Sequence, residues 1–394
     1  VKNVTFALCL LLGFLPQSPL FASSLEEGIS PLLHNGTVIA EHSGQTLVSI
    51  NSKQQFIPAS IQKIATALWA INTLGQQYRF VTPVFKKEDT LYIKGEGDPF
   101  LVSEEIHRLA IQLVEKNILK IDAIVLDDSR FDTSGFTPGN SLNPYDALNG
   151  SLVVNFNTVY VRISRHTISS AEEQTPTLPL MMEVGKGLPL GEPRISLPKN
   201  QKTSLRYAGE LFEKIFNKAG ITVKNGWRHG TVPADADLVF RFSNSKTLEQ
   251  VIADLLLYSN NFMANQLFLI CGAIAKGYPA DWEKSRQALG VFLKNSGISE
   301  DAIMLREGSG ISRENRATAA GMLELLRRFA PYRNLLPEKK GIPLKSGTMQ
   351  GVFSYAGYFT ESGPPDAFVI ILNQPDNNRD KILHLLQKGY NSYN

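Results

Sequence analysis

The chain has 394 residues, 43% of them hydrophobic, and a formal net charge of +3 from 40 basic and 37 acidic side chains. That length fits about two packed domains, and the near balance of charge gives neither a nucleic-acid surface nor a polybasic membrane patch. Cys9 falls in an apolar leader and leaves Cys271 alone, so no intrachain disulfide is expected; the six histidines form no H-E-x-x-H or other clustered pattern, so no metal or other cofactor is implied.

Residues 1–23 place Lys2 before an apolar run over 4–15, with Ala22 and Ser23 after it, the pattern of a secretory signal peptide. The run is shorter than the roughly 20 residues of a membrane span. An exported, periplasmic protein is expected, with at most peripheral membrane association. Residues 24–33 read as a short helix, and 37–41 and 46–51 as two strands about the turn His42-Ser43-Gly44.

In FIPASIQKIATALWAINTL, residues 56–74, Pro58 favours a helix start and Ile61, Ile64, Ala65 and Leu68 recur on one helical face, up to Gly75. Ser60 and Lys63 then lie one turn apart, close enough for an amine to meet a hydroxyl. An alcohol is a poor nucleophile at neutral pH; a neutral lysine can take its proton, provided something lowers the lysine pKa. A helix N-terminus also favours negative charge developing on a bound substrate. Composition alone supplies on the order of one or two S-x-x-K strings in a chain this long, so the pair needs support from elsewhere.

From residue 76 to 237 the texture changes to short strands and turns with one clear amphipathic helix at 103–116. LYIKGEGDPFL, AIVLDDSRFD and SLVVNFNTVYVRI are apolar or alternating runs closed by turn residues, and 169–201 reads as irregular. Gly95-Glu96-Gly97 lacks the third glycine of a dinucleotide loop. Helices are predicted at 205–219, 247–258 and 262–275, the second opened by a capping box of Thr247 and Gln250, with YSNN at 258–261 between the last two. Helices at 282–296 and 317–329 flank the loop REGSGISRENR. A hairpin over 342–359 and 367–373 leads into a helix at 379–388 whose Ile382, Leu383, Leu385 and Leu386 are expected to pack on the sheet.

Three motifs thus follow in order: Ser60-x-x-Lys63 at a helix start, Ser259-x-Asn261 between helices, and Lys345-Ser346-Gly347 in a C-terminal strand. Active-site serine penicillin-interacting enzymes use S-x-x-K, S-x-N and K-T-G in this order. PASIQKIATA, YSNNFMANQL and KSGTMQGVFSYAGYF, with GEGDPFL, LDDSRFD and EGSGISRENR, resemble segments of low-molecular-mass penicillin-binding proteins. The resemblance is to the D-alanyl-D-alanine carboxypeptidase/endopeptidase family with a large insert between its first two motifs.

The resemblance implies an α+β penicilloyl-serine transferase (β-lactamase-like) fold, an antiparallel sheet flanked by helices. The catalytic domain would span 24–75 and 238–394, with 76–237 as an inserted, mainly β domain. It implies acylation of Ser60 by peptidoglycan stem peptides and by β-lactams as covalent inhibitors, Lys63 as base, Ser259 as proton relay to the leaving amine, and Asn261 on the substrate carbonyl. Lys345 would lower the Lys63 pKa and steer the terminal carboxylate, with Ser346, Gly347 and Thr348 forming its cradle and the N–H groups of Ser60 and Thr348 the oxyanion hole. Asp146 would reach from the insert toward a free amine on the peptide stem, with Arg313 and Gln350 lining the same cleft. Two departures stand out: Ser346 replaces the usual threonine and keeps its hydroxyl, and Glu307 stands where an aspartate is usual. The insert is short for the family, which implies a reduced or absent innermost nested domain. A β-lactamase or esterase of the same fold, and a non-catalytic cell-wall binding protein, are the competing readings.

Overall fold

The computed structural model describes residues 19–359 and 365–392. The predicted leader lies outside them as far as position 18, and the residues that follow open the helix Pro19–Ile29. Strands Gly36–His42 and Gln45–Ile50 form the expected hairpin about Ser43 and Gly44, both at positive φ. They join a six-stranded antiparallel sheet in the order Glu338–Lys339, Ile342–Met349, Val352–Phe359, Asp366–Leu372, Gly36–His42, Gln45–Ile50.

Strand Asp366–Leu372 is buried along its whole length, because both faces of the sheet are covered. Side chains alternate across a strand, and here Phe368 and Ile370 pack with Ile382 and Leu386 of the C-terminal helix Arg379–Asn391. Val369 and Ile371 face the opposite core, built on Lys63–Leu74, Asn261–Lys276 and Ala319–Phe329. The capping box of Thr247 and Gln250 is formed.

The segment between the first two motifs forms its own five-stranded sheet, in the order Trp227–His229, Ala123–Asp127, Thr90–Lys94, Val81–Lys87, Asp237–Ser243. Three points differ from expectation. Its strands share a core with the helices Ser103–Glu115 and Gln201–Lys218, so the segment is mixed rather than mainly β. Asp237–Ser243 pairs antiparallel with Val81–Lys87 and buries Phe242 in that core, which carries the insert past residue 237 to Ser243. The stretch expected to be irregular holds the helix Pro179–Gly185 and the strand Arg194–Ser196.

One buried side chain fixes the insert to the rest. Gln266 Nε2 donates to the carbonyls of Gly97 and Gly150, both at 2.9 Å, while its Oε1 accepts from Asn149 Nδ2 at 2.9 Å and Gly150 N at 3.3 Å. Gln266 lies on the helix that Asn261 opens, so one element carries both a site residue and the insert's anchor.

Candidate active site

Ser60 lies in a short 3-10 turn, Ala59–Gln62, that runs directly into Lys63–Leu74. Side chains at i and i+3 eclipse in 3-10 geometry, and Lys63 Nζ sits 2.9 Å from Ser60 Oγ. The turn is tightly confined. Ala59 has φ of 52°, and a Cβ on Gly310, itself at φ 92°, would come within 2.2 Å of Ala59 O. On the other side a Cβ on Gly347 would fall 2.8 Å from Ser60 N, so the strand backbone passes directly beside Ser60.

Lys63 is fully buried. Besides Ser60, its Nζ contacts Asn261 Oδ1 at 2.7 Å and Ser309 O at 2.5 Å. The orientation of the Asn261 amide follows from its other end, where Nδ2 donates to Tyr145 O at 3.1 Å. Burial chiefly, and then the positive charge of Lys345, hold the Lys63 pKa well below the usual lysine value, against an opposing pull from Glu307. A neutral amine has two N–H bonds and one lone pair. Asn261 Oδ1 and Ser309 O can only accept, so they take the N–H bonds and leave the lone pair for the Ser60 hydroxyl.

Glu307 is fully buried and organises the loop that presents Ser309 O. Its carboxylate accepts from Ser309 N (2.7 Å), Ser309 Oγ (2.5 Å), Gly310 N (2.9 Å), Ser312 N (3.3 Å) and Asn315 Nδ2 (2.8 Å). Gln62 Nε2 and Thr66 Oγ1 donate to the carbonyls of Glu307 and Gly308, which binds this loop to the Ser60 turn and the helix Lys63–Leu74.

Lys345 is buried in strand Ile342–Met349 and donates to Ser346 O at 3.0 Å. Burial first, and then Arg379, push its pKa down to about 8. Sequence reasoning did not anticipate Arg379. Its Nη1 donates to Gly347 O at 2.7 Å and Thr348 Oγ1 at 2.9 Å, and its guanidinium lies 4.5 Å from the centroid of the Tyr355 ring. One signal was available: a cation at the first residue of a helix opposes the helix dipole, so something else must hold it there.

Ser346 is half-buried and Thr348 exposed on the same strand. Arg313 and Gln350 meet at the strand's end, where Arg313 Nη2 donates to Gln350 O at 2.5 Å. Ser259, with φ of 53°, precedes Asn261 by two residues and is not among the acceptors of Lys63. Asp146 is not brought into the group as expected. It is buried, and its Oδ2 accepts from Ser141 N at 3.0 Å and Ser141 Oγ at 2.6 Å. No group of His, Cys, Asp or Glu among the described residues has the arrangement of a metal site.

A half-buried serine 2.9 Å from a fully buried lysine, beside an antiparallel sheet, is the arrangement of an active-site serine enzyme of the acyl-transferring class. The fold likeness is direct. Penicillin binding protein 4 of Haemophilus influenzae superposes with a TM-score of 0.73 at 20% identity, over 94% of this chain and 98% of that one. A peptidoglycan endopeptidase of Bdellovibrio bacteriovorus gives 0.51 at 14% identity, over 90% and 91%. The chain belongs to the D-Ala-D-Ala carboxypeptidase 3 (S13) family, whose pattern matches residues 32–186 and 182–336, and is thereby a serine-type D-alanyl-D-alanine carboxypeptidase. A D-alanyl-D-alanine carboxypeptidase of Actinomadura sp. is 24% identical over 417 residues, covering 86% of this chain and 77% of its own. The carboxypeptidase DacB of Haemophilus influenzae is 21% identical over 417 residues, covering 88% and 84%.

Proposed function

We propose that Ser60 is the nucleophile that peptidoglycan stem peptides acylate, and that β-lactams acylate the same oxygen. As the Oγ–C bond forms at the carbonyl between two D-alanines, the hydroxyl proton passes to Lys63 Nζ. The C–N bond then breaks, and the leaving amine takes a proton by way of Ser259. Water attacks the resulting ester, releases the shortened stem peptide and returns the proton to Ser60. The N–H groups of Ser60 and Thr348 stabilise the oxyanion. Asn261 serves the substrate carbonyl as well as Lys63, and Lys345 with Ser346 and Thr348 receives the terminal carboxylate, with Arg379 holding Gly347 O and Thr348 Oγ1. Arg313 and Gln350 border the cleft where the stem peptide enters. The leader pattern supports a periplasmic location for this work. No helix among the described residues is long and apolar enough to cross a membrane.

The observation that carries this reading is the buried Lys63 Nζ, 2.9 Å from Ser60 Oγ, with the acceptors Asn261 Oδ1 and Ser309 O on its other sides. Ser60→Ala tests it. Release of D-alanine from a pentapeptide should fall ~10⁴-fold or more, and labelled penicillin should no longer attach. Covalent labelling that persists in the Ala variant places the nucleophile elsewhere.

A further inference from the structure

The insert reaches the Ser60–Lys63 pair through a backbone carbonyl. Tyr145 O accepts from Asn261 Nδ2 at 3.1 Å, while the opposite end of the same amide, Oδ1, lies 2.7 Å from Lys63 Nζ. The two ends of an asparagine side chain are close in size and opposite in hydrogen bonding, one an acceptor and the other a donor. Which end meets Lys63 is therefore decided by what meets the other. A carbonyl only accepts, so Tyr145 O keeps the NH2 group on its own side and the oxygen on the lysine. Turned over, the amide would aim an N–H bond at Nζ, and the amine's lone pair would engage that donor instead of the Ser60 hydroxyl.

Tyr145 belongs to the short 3-10 turn Pro144–Asp146. Its side chain is exposed and its hydroxyl accepts from Asn143 Nδ2 within the same segment, so packing of the ring does not set where its carbonyl lies. The neighbouring carboxylate does. Asp146 is buried, and its Oδ2 accepts from Ser141 N at 3.0 Å and Ser141 Oγ at 2.6 Å, closing residues 141–146 into a loop. Within that loop Ser141 Oγ accepts from Asn143 N at 3.1 Å, and Asp146 N donates to Asn143 O at 3.0 Å.

The loop is moored on both sides. Ser196 N, in the strand Arg194–Ser196, donates to Leu142 O at 2.8 Å, and Asn149 Nδ2 donates to Phe262 O and Gln266 Oε1, both at 2.9 Å. Lys199 Nζ donates to Asp146 O. The other carboxylate oxygen lies against Gly139, where a Cβ would come within 2.4 Å of Asp146 Oδ1. The surroundings of this carboxylate are thus taken up by its own segment.

We propose that Asp146 is a positioning residue for acylation: it closes the loop that keeps Tyr145 O on Asn261, and so keeps the Asn261 oxygen on Lys63. The inference rests on the roles given above to Ser60 and Lys63. It departs from the part that the resemblance implies for this residue. A receptor for a stem-peptide amine matters only to substrates that carry the amine, whereas a positioning residue matters to every acylating substrate, penicillin included.

Penicillin therefore separates the two roles. On the full chain, Asp146→Ala should slow labelling by penicillin at pH 7 tenfold or more, part of the ~10²- to 10⁴-fold that a general base supplies. Asp146→Asn, which keeps an acceptor of the same size for Ser141, should restore most of that rate. Ser141→Ala removes the Oγ contact from the opposite partner and leaves the carboxylate in place; it should slow labelling threefold or more, and it carries the test if urea denaturation shows that Asp146→Ala does not fold. A double variant reads the route. Because Asp146 acts through Asn261, adding Asp146→Ala to Asn261→Ala should slow labelling no further, where independent effects would multiply. Unchanged penicillin labelling in Asp146→Ala, with D-alanine release reduced only for a peptide that bears the free amine, makes the carboxylate a substrate receptor and overturns the proposal. Losses that multiply in the double variant overturn it as well. Wild-type chain that penicillin does not label, or labelling that survives Ser60→Ala, overturns the Ser60 assignment and this inference with it.

Discussion

Lys63 Nζ lies 2.7 Å from Asn261 Oδ1, so the residue that would hold the substrate also orients the Lys63 amine. An aspartate at 261 would keep the acceptor and add a negative charge beside the amine. That raises the Lys63 pKa and leaves the amine protonated at neutral pH. Asn261→Asp should lower penicillin acylation about 10²- to 10³-fold at pH 7, within the range that loss of a general base produces. Its rate should recover partly as pH rises. Stopped-flow acylation across pH 6–10 measures both.

The pH profile of the native enzyme should be bell-shaped. The rising limb follows deprotonation of Lys63, whose pKa is pushed down by burial and by Lys345. The falling limb should appear near pH 8, where Lys345 loses the charge that would receive the terminal carboxylate. Arg379 contributes to the low Lys345 value. Arg379→Gln should therefore move the falling limb to higher pH, as read from kcat/KM for D-alanine release.

Glu307→Gln replaces an acceptor-only group with one that donates on one side, inside a shell of five donor contacts. Stability should fall by about 2–3 kcal/mol, the cost of leaving buried donors unsatisfied. The carboxylate also raises the Lys63 pKa, so its removal should shift the rising limb of acylation to lower pH in the fraction that folds. Urea denaturation and the acylation pH profile give the two readouts.

Gly310→Ala places a methyl group 2.2 Å from Ala59 O at a φ of 92°. Strain and overpacking together should cost at least ~2 kcal/mol, with a loss of acylation beyond what stability explains, because the displaced backbone carries Ser60. Gly290→Ala, in open space on the helix Trp282–Asn295, is the control and should be neutral or mildly stabilising.

Much of the site was legible because its side chains sit in short local patterns. Ser60 and Lys63 share one turn, Asn261 begins a helix, and Lys345 lies in a strand with a recognisable glycine. What escaped was nonlocal. Ser309 contributes a backbone carbonyl, which any residue type could supply. Arg379 reaches the Lys345 strand from a different element. Asp146 has the residue type expected of an amine receptor, but its partner Ser141 turns the carboxylate inward. The end of the insert was misplaced for the same reason: an alternating run such as DLVFRFS declares a strand without declaring which sheet takes it.

The order of strands in the large sheet has a consequence for biosynthesis. Gly36–His42 lies between Gln45–Ile50, its immediate neighbour in sequence, and Asp366–Leu372, more than 300 residues further on. The Lys345 strand, too, reaches Gly36–His42 only by way of Val352–Phe359 and that same late strand. A nascent chain therefore carries the Ser60 turn long before it has the framework that buries Lys63. Contacts of such sequence separation form slowly, so the large sheet, and with it the cover over Lys63, closes only after the last strands have been made.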